Sequence, residues 1–167
     1  NPKQKKAGLV EIRIVLPHDD PEATPAEWVW AKPLGNAEYE VRNTPFSVFG
    51  LAWSDRVRIE KRDGVPTVIE VVRRSGESPY RVFGSRNEGV SKVKAALNAF
   101  SFWFDCRIVR MVGNSWAIGV SSEANLDGVE SVLRKHRDSG LWKSEVGFRF
   151  GSKRNKGKSR FRWAPGE

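Results

Sequence analysis

Residues 9–16 read LVEIRIVL, which sets Val10, Ile12, Ile14 and Leu16 on one side of the chain and Leu9, Glu11, Arg13 and Val15 on the other. An apolar row opposite a row with charges, at a period of two, predicts a half-buried strand. Residues 17–25 carry Pro17, Pro21 and Pro25 among Asp19, Asp20 and Glu22 and read as a loop. Residues 27–32 (EWVWAK) resume as a strand with Trp28 and Trp30 on one face. Leu34-Gly35-Asn36 turns the chain, and residues 39–42 (YEVR) return as a hairpin arm. Residues 45–51 (PFSVFGL) read as a buried aromatic connection. Residues 56–62 (RVRIEKR) form another strand with Val57 and Ile59 inward. Asp63-Gly64 signals a tight hairpin because glycine accepts positive φ, and the β-branched run 65–74 is its return arm. Short strands joined by compact turns over residues 9–74 predict a small closed or nearly closed barrel.

Beyond the turn at 75–79 the period changes. Residues 80–84 read as a strand. Ser85 and Glu88 have capping-box spacing ahead of Val90, Val93, Leu97 and Phe100, which recur as in a helix. Residues 102–112 (FWFDCRIVRMV) read as a long strand, Gly113-Asn114 as a turn, and residues 115–121 (SWAIGVS) as its partner. Asn125 can cap a second helix with Leu126, Val129, Val132 and Leu133 as its apolar stripe. Arg134, Lys135 and Arg137 near its end complement the macrodipole, and Gly140 stops it. Residues 141–150 supply a final strand. The order β-α-β-β-α-β is that of a ferredoxin-like sheet, whose right-handed crossovers place both helices on one face. Trp103, Val109 and Met111 of the 102–112 strand are assigned to an interface with the barrel.

Composition changes this picture in two ways. Apolar residues at 39% and charged ones at 29% are a globular balance, so 167 residues can bury a core without staples. A single cysteine, Cys106, allows no internal disulfide and fits a reducing compartment. The basic start lacks a signal-peptide core, and no apolar run nears the roughly 20 residues that cross a bilayer. A cytoplasmic location without membrane association is therefore expected. The net charge of +9 is unevenly placed: +3 in residues 1–8 from Lys3, Lys5 and Lys6, +5 in residues 151–167, and only +1 in between.

The inventory for catalysis is thin. His18 lies beside Asp19 and Asp20 in the acidic loop, and His136 borders the apolar stripe of the second helix. One cysteine and two distant histidines do not make a zinc site, and Cys106, alternating with Phe104 and Ile108, reads as an inert inward thiol. Phosphate-loop, nucleophile-elbow and metalloprotease motifs are missing. The chain is expected to be no enzyme and to need no cofactor or metal. A binding role has firmer support. Phe148-Arg149-Phe150 and Phe161-Arg162-Trp163 flank the run GSKRNKGKSR. Paired as a ribbon they would stack aromatic side chains and present Lys153, Arg154, Lys156, Lys158 and Arg160 at the tip. Such cations engage phosphates, and aromatic neighbours can stack on bases. The alternative is a solvated basic tail that only aids solubility. The sheet itself offers no RNA-recognition signature, since SWAIGVS lacks the basic and aromatic set of that motif's third strand.

One further pattern identifies rather than explains. W-A-x-P-L-G at 30–35 is followed by Tyr39 and R-N-x-P-F at 42–46. Then come Gly50-Leu51, D-x-V at 55–57, and E-V-V-x-R-S-G-x-S-x-Y-R-V at 70–82. This resembles the bacterial domain of unknown function DUF4265, a resemblance that covers the barrel and first sheet strand well and the helical half in outline. It implies a bacterial origin and no activity. Gly35, Gly50 and Gly76 suit turns, Pro33 and Pro45 strand ends, Phe46 and Val71 core. Arg42, Asn43, Asp55, Arg74 and Ser75 either line a shared polar site or satisfy buried backbone groups at barrel corners.

Together these readings predict an α+β chain with a basic tail over 1–8, a barrel over 9–76, a ferredoxin-like sheet over 77–150 and a basic C-terminal ribbon or tail over 151–167. The expected role is a non-catalytic binding module touching an acidic partner, nucleic acid foremost. Its contacts would be Lys153, Arg154, Lys156, Lys158, Arg160, Arg162, Trp163, Arg149, Lys3, Lys5 and Lys6. An immunity or antitoxin-like protein that blocks an effector is the alternative. An enzyme built on Asp55, Arg42 and Arg74 comes last.

Overall fold

The computed structural model describes residues 8–16, 25–48, 50–111 and 113–146. Among them the chain is mixed α+β, with two sheets, two helices and more strand than helix, divided into two compact units between Ser75 and Gly76.

The first unit holds β1 (Val10–Val15), β2 (Ala26–Gly35), β3 (Glu38–Val41), β4 (Arg56–Arg62) and β5 (Val65–Arg73). Successive strands pair antiparallel, and β1 also pairs in parallel with β5 where Arg13 lies opposite Thr67, so the order returns to its start. The Arg13 guanidinium fastens this seam by donating to Thr67 Oγ1 at 2.9 and 3.1 Å. Alternation places Ile12, Ile14, Val29, Ala31, Val57 and Ile59 in one buried cluster, as their period of two requires. Trp28 and Trp30 share the outward face of β2, opposite Arg13 and Glu11. The β4–β5 turn is Asp63-Gly64 with φ of 52° and 76°, the left-handed pair a two-residue hairpin demands. The β2–β3 turn differs from expectation. Strand β2 runs through Pro33, paired with Tyr39, to Gly35, and the reversal falls on Asn36-Ala37. The register shift between Pro33 and Gly35 absorbs the extra residue.

The second unit runs β6 (Ser78–Gly84), α1 (Val90–Trp103), β7 (Cys106–Arg110), β8 (Ser115–Val120), α2 (Leu126–Asp138) and β9 (Trp142–Val146). Its sheet has the order β7-β8-β6-β9 with every neighbour antiparallel. Tyr80 and Val82 of β6, Trp116, Ile118 and Val120 of β8 and Trp142 of β9 meet Val93, Leu97 and Phe100 of α1 and Val129 and Leu133 of α2 in a single core. Both helices thus cover one face. Asn125 Oδ1 accepts from Gly128 N at 3.1 Å and caps α2. At the other end Gly140 takes φ of 78° while Leu141 N donates to His136 O and Gly140 N to Arg137 O, a Schellman stop.

Three expectations are corrected here. Phe102 and Trp103 are not strand residues: α1 continues through Trp103, Phe104 N caps Phe100 O, and the Phe100 and Phe104 rings lie 4.9 Å apart. The helical stripe Val93, Leu97, Phe100 outweighs the strand preference of three aromatic residues, and β7 begins only at Cys106. Trp103, 76% exposed at the end of α1, therefore shares no strand face with Val109 and Met111. Ser85 and Glu88 do not form a capping box, because the N-cap is Gly89. Ser85 instead accepts from Asn87 N in the preceding turn, and Glu88 pairs with Lys92 one turn on at 2.6 Å. The last strand ends at Val146 in the described residues; 147–150 lie outside them.

Candidate functional site

Of the five polar residues singled out from the sequence, three come together. Asp55, 1% exposed, accepts from Ala52 N at 3.0 Å, from Ser75 N at 2.7 Å and from Arg74 at 3.1 Å. Arg74 also donates to the Gly50 carbonyl. This cluster ties the 50–55 turn to the end of β5 and satisfies backbone groups that strand pairing leaves over. Arg42 and Asn43 serve other partners. The Arg42 guanidinium lies 2.7 Å from Glu40, and Asn43 Oδ1 accepts from Trp30 N at 2.6 Å. Asp55, Arg74 and the Ser75 amide thus brace a turn, Asn43 holds a backbone amide of β2, and Arg42 pairs with a near neighbour in sequence.

A further bracing residue gave no local signal. Glu27 accepts from Phe46 N at 2.6 Å, Ser47 N at 2.7 Å and Val48 N at 3.1 Å, so one carboxylate gathers three consecutive amides. Its partners stand about 20 residues away, beyond any motif.

The second unit carries an open cleft of about 900 Å³ bordered by Phe83, Arg86, Arg137, Trp142, Lys143 and Glu145. A smaller hollow of about 200 Å³ adjoins it, sharing Arg137, Ser144 and Glu145 and adding Glu130, Leu133, Arg134 and Val146. The smaller forms a groove between α2 and the Ser144–Val146 half of β9, and the larger opens from it toward Phe83–Arg86 at the end of β6. Tyr80 Oη bonds Glu130 at 3.2 Å and Trp142 Nε1 donates to Leu133 O at 3.1 Å, so the walls are tied together. Sequence reasoning placed Arg134 and Arg137 only as macrodipole partners. Their three-residue spacing on a helix puts both on one side, and the register of β9 brings Ser144 beside them.

No group of three His, Cys, Asp or Glu side chains among the described residues could hold a metal ion. Cys106 packs against the core, and burial, aided by the Asp105 charge, pushes its thiol up to about 11. His136 packs against Trp142 with ring centres 4.7 Å apart and planes tilted by 55°; burial, then the Lys135 charge, holds it below its ordinary value. No helix among the described residues is long and apolar enough to cross a membrane. Lys3, Lys5, Lys6, Arg149, Lys153, Arg154, Lys156, Lys158, Arg160, Arg162 and Trp163, with His18, lie outside the described residues.

These features define a class: a two-unit, strand-rich α+β protein whose polar signature residues brace turns. Residues 27–144 match the family described as Domain of unknown function (DUF4265), and the chain belongs to that family. A solved structure titled "Novel crystal structure of a hypothetical protein from Neisseria gonorrhoeae" is similar in fold. It has a TM-score of 0.70 and 13% identity over 85% of this chain and 96% of that one. Comparison with curated proteins gave no match.

Proposed function

We propose that this chain is a non-catalytic binding module of the cytoplasm that contacts nucleic acid through its basic terminal segments. In this reading the first unit is a small β-barrel, the second a ferredoxin-like sheet, and the basic ends supply the contacts. The observation that carries the proposal is the division of charge, +1 over residues 9–150 against +5 over 151–167 and +3 over 1–8. A scaffold of nearly balanced charge gains little from a polyanion, whereas a run of cations displaces the counterions condensed on phosphates. Phe161 and Trp163, interleaved with Arg160 and Arg162, add faces on which bases can stack.

Fluorescence anisotropy with a labelled single-stranded oligonucleotide and its duplex tests this. Binding weakens with salt at a log–log slope near −4 when about five phosphates are engaged. Removal of residues 151–167 abolishes it, and affinity that survives this truncation overturns the proposal. A second reading, a protein that binds and blocks an effector, draws on Phe102 and Trp103, which stand 82% and 76% exposed side by side at the end of α1. Aromatic side chains held in water in this way are the usual centres of protein interfaces.

A further inference from the structure

We propose that the groove between β9 and α2 binds an acidic peptide in extended conformation, which adds as a fifth strand to the sheet of the second unit. This stands apart from the basic ends, since every residue it uses lies between Arg81 and Val146.

Among the described residues strand β9 ends the order β7-β8-β6-β9 and pairs with β6 alone. Ser85 N donates to Leu141 O across that pair, at the register that sets Phe83 opposite Lys143 and Arg81 opposite Glu145. In an antiparallel ladder alternate residues turn their amides toward the same neighbour. Leu141, Lys143 and Glu145 therefore face β6, and Trp142, Ser144 and Val146 aim N–H and C=O away from it. Among the described residues no hydrogen bond is recorded to these outward backbone groups. A row of unpaired strand donors and acceptors is a template for another strand, and proteins normally cover or blunt it. Among the described residues nothing covers this row, and the groove between α2 and β9 lies beside it at Ser144–Val146.

The charge around that groove chooses the occupant. Arg86 and Lys143 stand at one end, Arg134 and Arg137 along the α2 wall, against Glu130 and Glu145. Arg86, Arg134 and Lys143 have no ion pair among the described residues, and Arg137 has only its neighbour Asp138 at 3.0 Å. Side chains of an added strand alternate between the two faces of the sheet, so every second one would meet the arginines of α2. A peptide with carboxylates at alternate positions satisfies both the backbone row and the cations. A nucleic acid satisfies only the cations.

The probe is a capped, fluorescein-labelled peptide of alternating glutamate and valine, with the alternating lysine–valine peptide as its counterpart, titrated into the full chain. The glutamate peptide binds, the lysine peptide binds at least about ten-fold more weakly, and amide exchange at Ser144 and Val146 slows on binding. Arg134→Glu with Arg137→Glu, both exposed helix positions, reduces affinity by about ten-fold or more without unfolding the protein. Ser144→Pro removes one outward donor and weakens binding while leaving the β6 ladder intact. Equal binding of the two peptides, affinity retained by the double charge reversal, or no binding of the glutamate peptide overturns the proposal. So does protection of the Ser144 and Val146 amides before any peptide is added, or an oligonucleotide whose affinity depends on Arg134 and Arg137.

Discussion

Arg74, just past the end of β5, sets its guanidinium 3.1 Å from the carboxylate of Asp55, just ahead of the neighbouring β4, a side chain almost wholly withdrawn from water. The pair is held by more than its charges, because Asp55 also receives the amides of Ala52 and Ser75. Replacing it by Ala would take the carboxylate acceptor away from two backbone donors and from the Arg74 guanidinium, which would keep the Gly50 carbonyl. Asp55→Ala is expected to lower stability by about 3 kcal/mol, and Asp55→Asn, which keeps shape and one acceptor, by roughly half as much. Urea denaturation of the two variants beside the parent checks this. A loss below about 1 kcal/mol for Asp55→Ala would mean that the cluster does not brace the fold.

Glu27 invites the same reasoning at a different place. Its two oxygens serve three amides of the 46–48 connection. Glu27→Ala frees all three, so their hydrogen exchange should accelerate while that of the core strands follows only the global loss, about 1–2 kcal/mol. Exchange at Phe46, Ser47 and Val48 that stays at the parent rate would show that other groups hold this connection.

What the sequence made legible follows from the range of the forces involved. Val57 and Ile59 alternate within one strand, Asp63-Gly64 supplies its own backbone geometry, and Asn125 caps a helix three residues away, so each could be read from a short window. Phe102 and Trp103 were misread as strand because aromatic preference is a local average, whereas the continuation of α1 depends on Phe100 and Phe104 packing together. The polar residues Asp55, Arg74 and Ser75 stood out, but only the fold shows them joined to each other and Arg42 and Asn43 turned to Glu40 and Trp30. The β9 groove had no signature at all. It arises where the sheet order sets Ser144 beside arginines of a helix, and no local pattern encodes a strand order.

Cys106 lies against the second core with its thiol raised to about 11 from an ordinary 9.0. Because only the thiolate attacks, alkylation of the folded protein at pH 7.5 should run about 100-fold slower than in the urea-unfolded chain. Iodoacetamide labelling followed by mass spectrometry measures both rates. Equal rates would place the thiol in water and contradict its packing beside Ile108.

His136 gives a pH test with a defined sign. Burial beside Trp142, with the Lys135 charge second, lowers its folded value below the ordinary 6.5. The unfolded chain then binds the proton more readily than the folded one. This contribution to stability is complete above pH 6.5 and is lost progressively as pH falls below it. The urea midpoint should drop between pH 7.5 and pH 5, and His136→Gln should flatten part of that drop. The imidazole proton resonance of His136 reports the shift directly, and a midpoint above 6.5 would reverse the argument.

The exposed pair Phe102 and Trp103 separates a structural from a binding role. Their rings meet edge to face at 5.5 Å, yet neither belongs to the buried cluster that α1 forms through Val93, Leu97 and Phe100. Burial of apolar surface on folding is therefore nearly absent at both positions. Phe102→Ser with Trp103→Ser should change stability by no more than about 0.5 kcal/mol per site. If the chain blocks an effector through this surface, the double variant should keep its melting temperature and its oligonucleotide affinity while losing that protein partner. If it binds nucleic acid through its ends alone, the variant should match the parent in every assay. A large fall in stability would count against both, because it would make the two rings part of the core that the structure places one turn away.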